Sequence, residues 1–218
     1  MHYFSDDGGE NNMLRMIRGC RVPDPGALEE GFEQKDRSFY ANLHAEHIDR
    51  AMRAFLLRQK EELFFFLELP TPQEEEKKLR EEWKRQNRDG EAPLHRNVYY
   101  WDGITPEAAL SLLDAYGELL IQDGMSSFGF GVRSFSAEIQ KEKYNMVTLF
   151  AREPAQYRDF FPGLGIPERE RLTTAWDTFS PTAPGDCFAL QVEGRNVFDL
   201  AEELKQKGLY FAEHREEN

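Results

Sequence analysis

The sequence has little cysteine, little positive charge and no long hydrophobic run. Its 218 residues include two cysteines, Cys20 and Cys187, too few for a disulfide framework or a four-thiolate zinc site. The longest apolar run, Leu63 to Leu67, is far shorter than the roughly 20 residues that span a bilayer. Residues 1–12 carry acids and amides where a signal peptide has a basic end and an apolar stretch. These absences predict a soluble cytoplasmic protein.

Basic residues are outnumbered, with 27 Lys and Arg against 40 Asp and Glu, which gives a formal net charge of −13. Because such a charge repels phosphate backbones and anionic lipids, neither a nucleic acid nor a membrane is expected as a partner. A basic protein is a compatible partner. Hydrophobic residues make up 40% of the chain and aromatic residues 13%, which is enough to build a packed core.

The first part of the chain differs in composition from the rest. Residues 21–31 contain two prolines and two glycines, which interrupt regular structure. Between residues 13 and 20 the apolar side chains follow helical spacing, which indicates a short amphipathic helix. Such a segment either docks on its own domain, the interpretation we favour, or binds a partner. We therefore predict an N-terminal arm over residues 1–40 and a single globular domain over residues 41–218.

Helical and strand patterns are interspersed along the rest of the chain. Predicted strands over 62–69, 96–101 and 126–134 are separated by helical patterns. A further strand over 144–153 follows the last of these after a short charged connection, AEIQKEK. Because this connection is too short for a helical crossover, the two strands are expected to pair antiparallel. The sequence predicts an α+β domain with a mixed sheet flanked by helices, and a doubly wound α/β sheet is the alternative.

The glycine-rich segment DGMSSFGFGVRS, residues 123–134, has the composition of a nucleotide-binding loop but not its spacing. A phosphate loop ends in Gly-Lys-Ser/Thr, and a dinucleotide fingerprint needs a glycine where this chain has Ser134. Its serines also lack the Gly-x-Ser-x-Gly context of a nucleophile elbow. Apolar residues alternate here with Gly129 and Gly131. This pattern predicts a strand whose glycine side lets an aromatic ring or a backbone approach closely.

Residues suited to metal binding or catalysis are few. His44 and His47 lie three apart on a predicted helix, within reach of one metal ion, but no third ligand is evident. We interpret them as surface residues and expect no metal or other cofactor. Cys187 lies in a predicted strand where nothing local lowers its pKa, so we expect a buried core residue rather than a nucleophile. Because no motif of catalytic spacing is present, we expect no hydrolase or transferase chemistry at these sites.

Four residues are candidates for binding a partner or a ligand. Trp176 and Phe179 lie in a segment of loop chemistry, LTTAWDTFSP, where large aromatic side chains cover the core or anchor a partner. Arg133 lies on the glycine side of its strand, where it either clamps a ligand carboxylate or pairs with a nearby acid.

The sequence predicts a protein-binding module of the inhibitor or immunity type that occupies a basic partner. The alternative is a small-molecule enzyme whose pocket is formed by Arg133, Trp176 and Asp177.

Overall fold

An eight-stranded sheet forms the centre of the computed structural model, which describes residues 13–86 and 90–217. Its strands are β2 (Gly31–Lys35), β3 (Ser38–Asn42), β4 (Leu63–Pro70), β5 (His95–Ile104), β6 (Ser127–Val132), β7 (Ala137–Lys141), β8 (Met146–Ala151) and β10 (Tyr210–Glu216). In space they follow the order β10-β5-β4-β6-β7-β8-β3-β2. A separate two-stranded pair joins β1 (Cys20–Arg21) to β9 (Asp186–Cys187).

The α-helices of the described residues are α1 (Ala45–Arg58), α2 (Gln73–Arg85), α3 (Pro106–Gln122), α4 (Phe160–Gly163) and α5 (Val197–Lys205). The longest, α3, begins after Thr105, whose hydroxyl accepts a hydrogen bond from the backbone of Ala108 at 3.2 Å. None of the helices in the described ranges is both long and apolar enough to cross a membrane. All pairings between the strands of the large sheet are antiparallel. The predicted α+β class is confirmed, and the doubly wound alternative is excluded because it needs parallel neighbours.

The helices cover one face of the sheet. Phe65 and Leu67 of β4 and Phe128 and Phe130 of β6 form one core cluster with the buried side chains of α1, α3, α4 and α5. The helix α2 buries no residue. Because side chains alternate along a strand, Phe64, Phe66 and Glu68 point to the opposite face, and the two phenylalanines lie outside the core cluster. We call this side the helix-free face.

Residues 137–143 differ from the prediction. The segment was expected to connect two directly paired strands, but it contains β7, which lies between β6 and β8. The direct pairing of segment 126–134 with segment 144–153 is therefore wrong. Ala137, Ile139 and Lys141 are buried on the core side, whereas the residues between them are half-buried on the helix-free face. The charges that suggested a connection thus belong to a strand with a polar outer face.

The N-terminal segment is packed into the fold. Leu14, Ile17 and Leu28 are buried, and the predicted boundary after residue 40 falls inside β3, which pairs with β2. Residues 1–12, whose composition predicts no signal peptide, lie outside the described residues.

The predicted helix over residues 13–20 is wrong, because most of the backbone N–H groups there bind distant acceptors, and only Cys20 donates to a carbonyl one turn back, that of Ile17. The N–H of Arg15 donates to His44 Nδ1 at 3.0 Å, and that of Gly19 donates to the Gln122 carbonyl at 2.8 Å. Buried Asn145 accepts from the N–H of Ile17 at 2.9 Å.

Candidate functional site

The helix-free face is built from every second residue of the central strands. Phe66 lies opposite Tyr100 of β5 and Gly129 of β6, and Gly129 in turn lies opposite Gln140 of β7. Directly opposed residues share a face of the sheet. An aromatic region and an acidic region follow one another along this face.

The aromatic region depends on the two glycines of β6. A Cβ atom at Gly129 would lie 2.5 Å from Cζ of Phe66, and one at Gly131 would lie 2.0 Å from Cζ of Phe64. The phenylalanine rings occupy the space that side chains on β6 would need. The prediction that a ring approaches the glycine side of this strand is confirmed.

Phe135 extends the aromatic region to the surface. It lies in the turn after β6, its ring centroid is 5.6 Å from that of Phe64, and 67% of its surface is exposed. Its φ of 52° is in the left-handed region, which a bulky residue adopts at a cost of about 1 kcal/mol or more. An exposed aromatic residue held in an unfavourable backbone conformation is a feature of contact sites.

The acidic region consists of Glu68, Glu138 and Glu142. Glu68 forms ion pairs with Arg215 and Arg96. Glu142 only accepts a hydrogen bond from the Thr148 hydroxyl, and neither Glu138 nor Glu142 has an ion pair with any cation of the described residues. Burial raises the pKa of both carboxyl groups above the ordinary glutamate value, and the nearby Glu68 adds to the effect, whereas the charge of Arg215 opposes it at Glu138. The ionised form of Glu142 therefore has no ion-pair partner among the described residues, whereas that of Glu138 lies within the field of Arg215.

Trp176 borders the acidic region. Together they form a cleft of about 150 Å³ lined by Glu68, Arg96, Ser127, Gln140, Glu142, Lys143, Trp176 and Glu217. The indole of Trp176 is 56% exposed, yet it is held by edge-on contacts, at 5.1 Å from the Tyr144 ring and 5.2 Å from the Phe179 ring. The tryptophan is thus an exposed but positioned side chain at the mouth of an acidic cleft.

The other residues of the predicted site have different positions. Asp177 shares a short 3-10 helix, Ala175–Thr178, with Trp176, and its carboxylate accepts two hydrogen bonds from Thr174, each of 2.8 Å. These bonds hold the pKa of Asp177 below its ordinary value and give the carboxylate a capping role. Phe179 packs beneath Trp176 against the core.

Arg133 lies apart from these residues. It follows the last residue of β6 and forms an ion pair with Glu62, whereas Ser127, the first residue of β6, lines the cleft beside Trp176. Six strand residues span about 20 Å. The structure does not bring Arg133 together with Trp176 and Asp177, and the pairing with a nearby acid is the one observed.

The two histidines weighed as metal ligands contact a carboxylate. His47 Nδ1 lies 2.8 Å from Glu30 Oε1, and His44 Nε2 lies 3.6 Å from Glu30 Oε2. Burial lowers the pKa of His44. The described residues contain no group of three or more His, Cys, Asp or Glu side chains arranged to hold a metal ion.

Cys187 has surroundings that the sequence did not suggest. It is half-buried, its Sγ lies 3.2 Å from that of Cys20, and the Tyr144 hydroxyl also hydrogen-bonds it. The hydrogen bond with Cys20, that with Tyr144 and the nearby Lys143 and Lys141 together lower the pKa of Cys187 to about 7. The prediction of a buried core residue is wrong, since Cys187 is half-buried, and the groups that lower its pKa come from parts of the chain that are not local to it in sequence.

Sequence reasoning missed the acidic region as well as the cysteine pair. The alternation of Ala137, Ile139 and Lys141 with Glu138 and Gln140 is the period-two signal of a strand with one polar face. That signal could have located the acidic side chains.

Comparison of the chain with models of protein families, with curated proteins and with solved structures finds no match.

Proposed function

We propose that this chain is a cytoplasmic binding module that receives a basic segment of another protein on its helix-free face. It acts by occupying that partner, as inhibitors and immunity proteins do. The observation that carries the proposal is the cleft beside the exposed indole of Trp176, in which Arg96 and Lys143 pair with Glu68 and Glu217 while the half-buried carboxylate of Glu142 has no ion pair among the described residues.

Charge complementarity supports a basic occupant. The half-buried carboxylate of Glu142 has a raised pKa and is destabilised in its ionised form, and a lysine or arginine side chain would supply a counter-charge. A cation entering the cleft at Glu142 also comes close to Trp176, which lines the same cleft, and indole rings attract cations. A nucleic acid would instead bring more negative charge to this region. The formal net charge of −13 adds long-range attraction for a basic protein.

The exposed aromatic side chains supply the apolar anchors. Trp176 borders the acidic cleft, and Phe135 lies at the other end of the face, about the length of β6 away. Tryptophan is enriched among the residues that contribute most to protein interfaces, and its contacts with Tyr144 and Phe179 reduce the entropy lost on binding. The proposed segment therefore contacts aromatic side chains at both ends and carboxylates between them.

The test is affinity capture from native cells, followed by binding measurements with the captured protein. Trp176→Ala should weaken the complex by about 10- to 1,000-fold, the range of an interface hot spot. Glu142→Gln should weaken it and reduce the salt dependence of the association rate. Leu57→Ala and Glu74→Gln change an exposed apolar and an exposed acidic residue away from this face and are the matched controls.

The pH dependence provides an independent check. Because the pKa values of Glu138 and Glu142 are raised, binding should weaken on acidification at a higher pH than the ordinary titration of a glutamate. Equal affinity of the site variants and the controls for the captured partner would contradict the proposal. So would recovery of no protein together with a metabolite that raises the melting temperature, since that result favours the enzyme alternative.

A further inference from the structure

We propose that Cys20 and Cys187 form a reversible disulfide on exposure to a hydroperoxide, and that Cys187 is the thiol that reacts first. The inference is independent of the proposed partner, because it rests on the pairing of β1 with β9.

The backbone places the two thiols at a position suited to a disulfide. Cys20 lies directly opposite Cys187, and the N–H of Phe188 donates to the Gly19 carbonyl at 2.9 Å. Because hydrogen-bonded and non-hydrogen-bonded pairs alternate between antiparallel strands, the cysteines occupy a non-hydrogen-bonded pair, whose Cα atoms are about 4.5 Å apart. This separation falls within the range of protein disulfides, and the Sγ atoms already lie 3.2 Å apart. The bond forms without a rearrangement of the backbone.

Neighbouring segments keep this pair in place. The Gly124 N–H donates to the Phe188 carbonyl at 3.2 Å, and the Gly19 N–H donates to the Gln122 carbonyl at 2.8 Å. A Cβ atom at Gly19 would lie 2.1 Å from the Gly124 nitrogen, so the backbones on either side of the cysteines are in close contact. The two thiols are therefore held together rather than brought together by chance motion.

The surroundings distinguish the two thiols. Cys20 is buried and its pKa is raised by the hydrogen bond with Cys187, whereas Cys187 is half-buried and has a pKa of about 7. Lys141 and Lys143 stabilise the Cys187 thiolate, and the Tyr144 hydroxyl donates a hydrogen bond to it. Since the thiolate is the nucleophile and must reach the oxidant, Cys187 attacks and Cys20 resolves.

The chemistry balances in two steps. The Cys187 thiolate attacks a peroxide oxygen, so that an S–O bond forms, the O–O bond breaks and an alcohol or water leaves after taking a proton. The Cys20 sulfur then attacks the Cys187 sulfenic acid, so that an S–S bond forms, the S–O bond breaks and water leaves with the Cys20 proton. The two thiols lose two electrons, which the hydroperoxide accepts. A dithiol reverses the reaction by exchange.

The disulfide would join parts of the chain that are far apart in sequence. It links the N-terminal segment to the loop that contains β9, across a separation of 167 residues. Tyr144, which contacts Cys187, also packs edge-on against Trp176. Oxidation therefore takes place next to the side chains that position the tryptophan.

Peptide mapping of the purified full chain tests the proposal. After treatment with hydrogen peroxide and alkylation of the remaining thiols, a monomer carrying a Cys20–Cys187 cross-linked peptide is expected, and dithiothreitol should remove the link. In Cys20→Ser, Cys187 should accumulate as a sulfenic acid that dimedone traps. In Cys187→Ser, Cys20 should oxidise at least about tenfold more slowly than Cys187 does.

A measurement on the wild-type chain does not depend on whether the variants fold correctly. With substoichiometric iodoacetamide, Cys187 should be alkylated before Cys20. Two free thiols after peroxide treatment, a disulfide between two chains, or faster alkylation of Cys20 would each overturn the proposal.

Discussion

Lys141 is a fully buried cation, and its titration should control how stability changes at alkaline pH. Its ammonium group donates to the carbonyl oxygens of Asp123 at 2.7 Å and Ser126 at 3.1 Å. Burial lowers the pKa of Lys141 from 10.5 to about 8. The nearby Cys20, Asp123 and Cys187 oppose this shift, and Arg96 adds to it.

The sign of the effect follows from proton binding. Below pH 8, both the folded and the unfolded chain carry a protonated lysine, so the position contributes no pH dependence. Between pH 8 and 10.5, Lys141 is protonated in the unfolded chain but largely deprotonated in the folded chain. The unfolded chain therefore binds more protons, and the free energy of unfolding rises with pH. The full difference between the two pKa values corresponds to about 3 kcal/mol.

Urea unfolding of the wild type and Lys141→Met across this pH range measures the effect. Methionine fills a similar volume without a charge, and it leaves the two carbonyl oxygens without the ammonium donor at every pH. The stability of the wild type relative to the variant should therefore increase by about 3 kcal/mol between pH 8 and 10.5. Lys60→Met, at an exposed position, is the matched control for the lysine-to-methionine change. A difference between wild type and Lys141→Met that stays constant with pH would refute the reasoning.

Three further predictions concern the site and its support. Gly131→Ala should lower the free energy of unfolding by about 1–3 kcal/mol, because the added methyl group overlaps the Phe64 ring. Gly163→Ala is the control, since its methyl group meets open space, and equal urea midpoints for the two variants would argue against this packing. Asn145→Ala should speed amide hydrogen exchange in the N-terminal segment, since the N–H of Ile17 loses its acceptor. Unchanged exchange would show that contacts other than those of Asn145 hold the segment in place. Phe135→Asn should raise the free energy of unfolding by up to about 1 kcal/mol in urea while weakening the captured partner, and undiminished affinity would remove Phe135 from the interface.

Several elements could be predicted from the sequence because their signals are local. The Thr105–Pro106 opening and the nearly continuous apolar surface of the following helix predicted α3, and the structure begins this helix at Pro106. The unbroken apolar run from Leu63 predicted a strand buried on both faces, and all its residues but Pro70 are buried in β4. The alternation of glycines with phenylalanines likewise predicted β6 and the approach of aromatic rings to it. Each of these patterns depends only on the steric preferences and the spacing of side chains within a few consecutive residues.

Only the tertiary structure decided the features that depend on distant neighbours. The segment before Cys20 has helical spacing but is not helical, because its N–H groups find acceptors at Gln122 and Asn145. The low pKa of Cys187 depends on groups that chain folding brings to it, and the separation of Arg133 from Trp176 depends on the direction of β6 between them. Residue spacing carries no information about such contacts, since their energy is gained only when the strands are paired and loop closure has brought remote segments together.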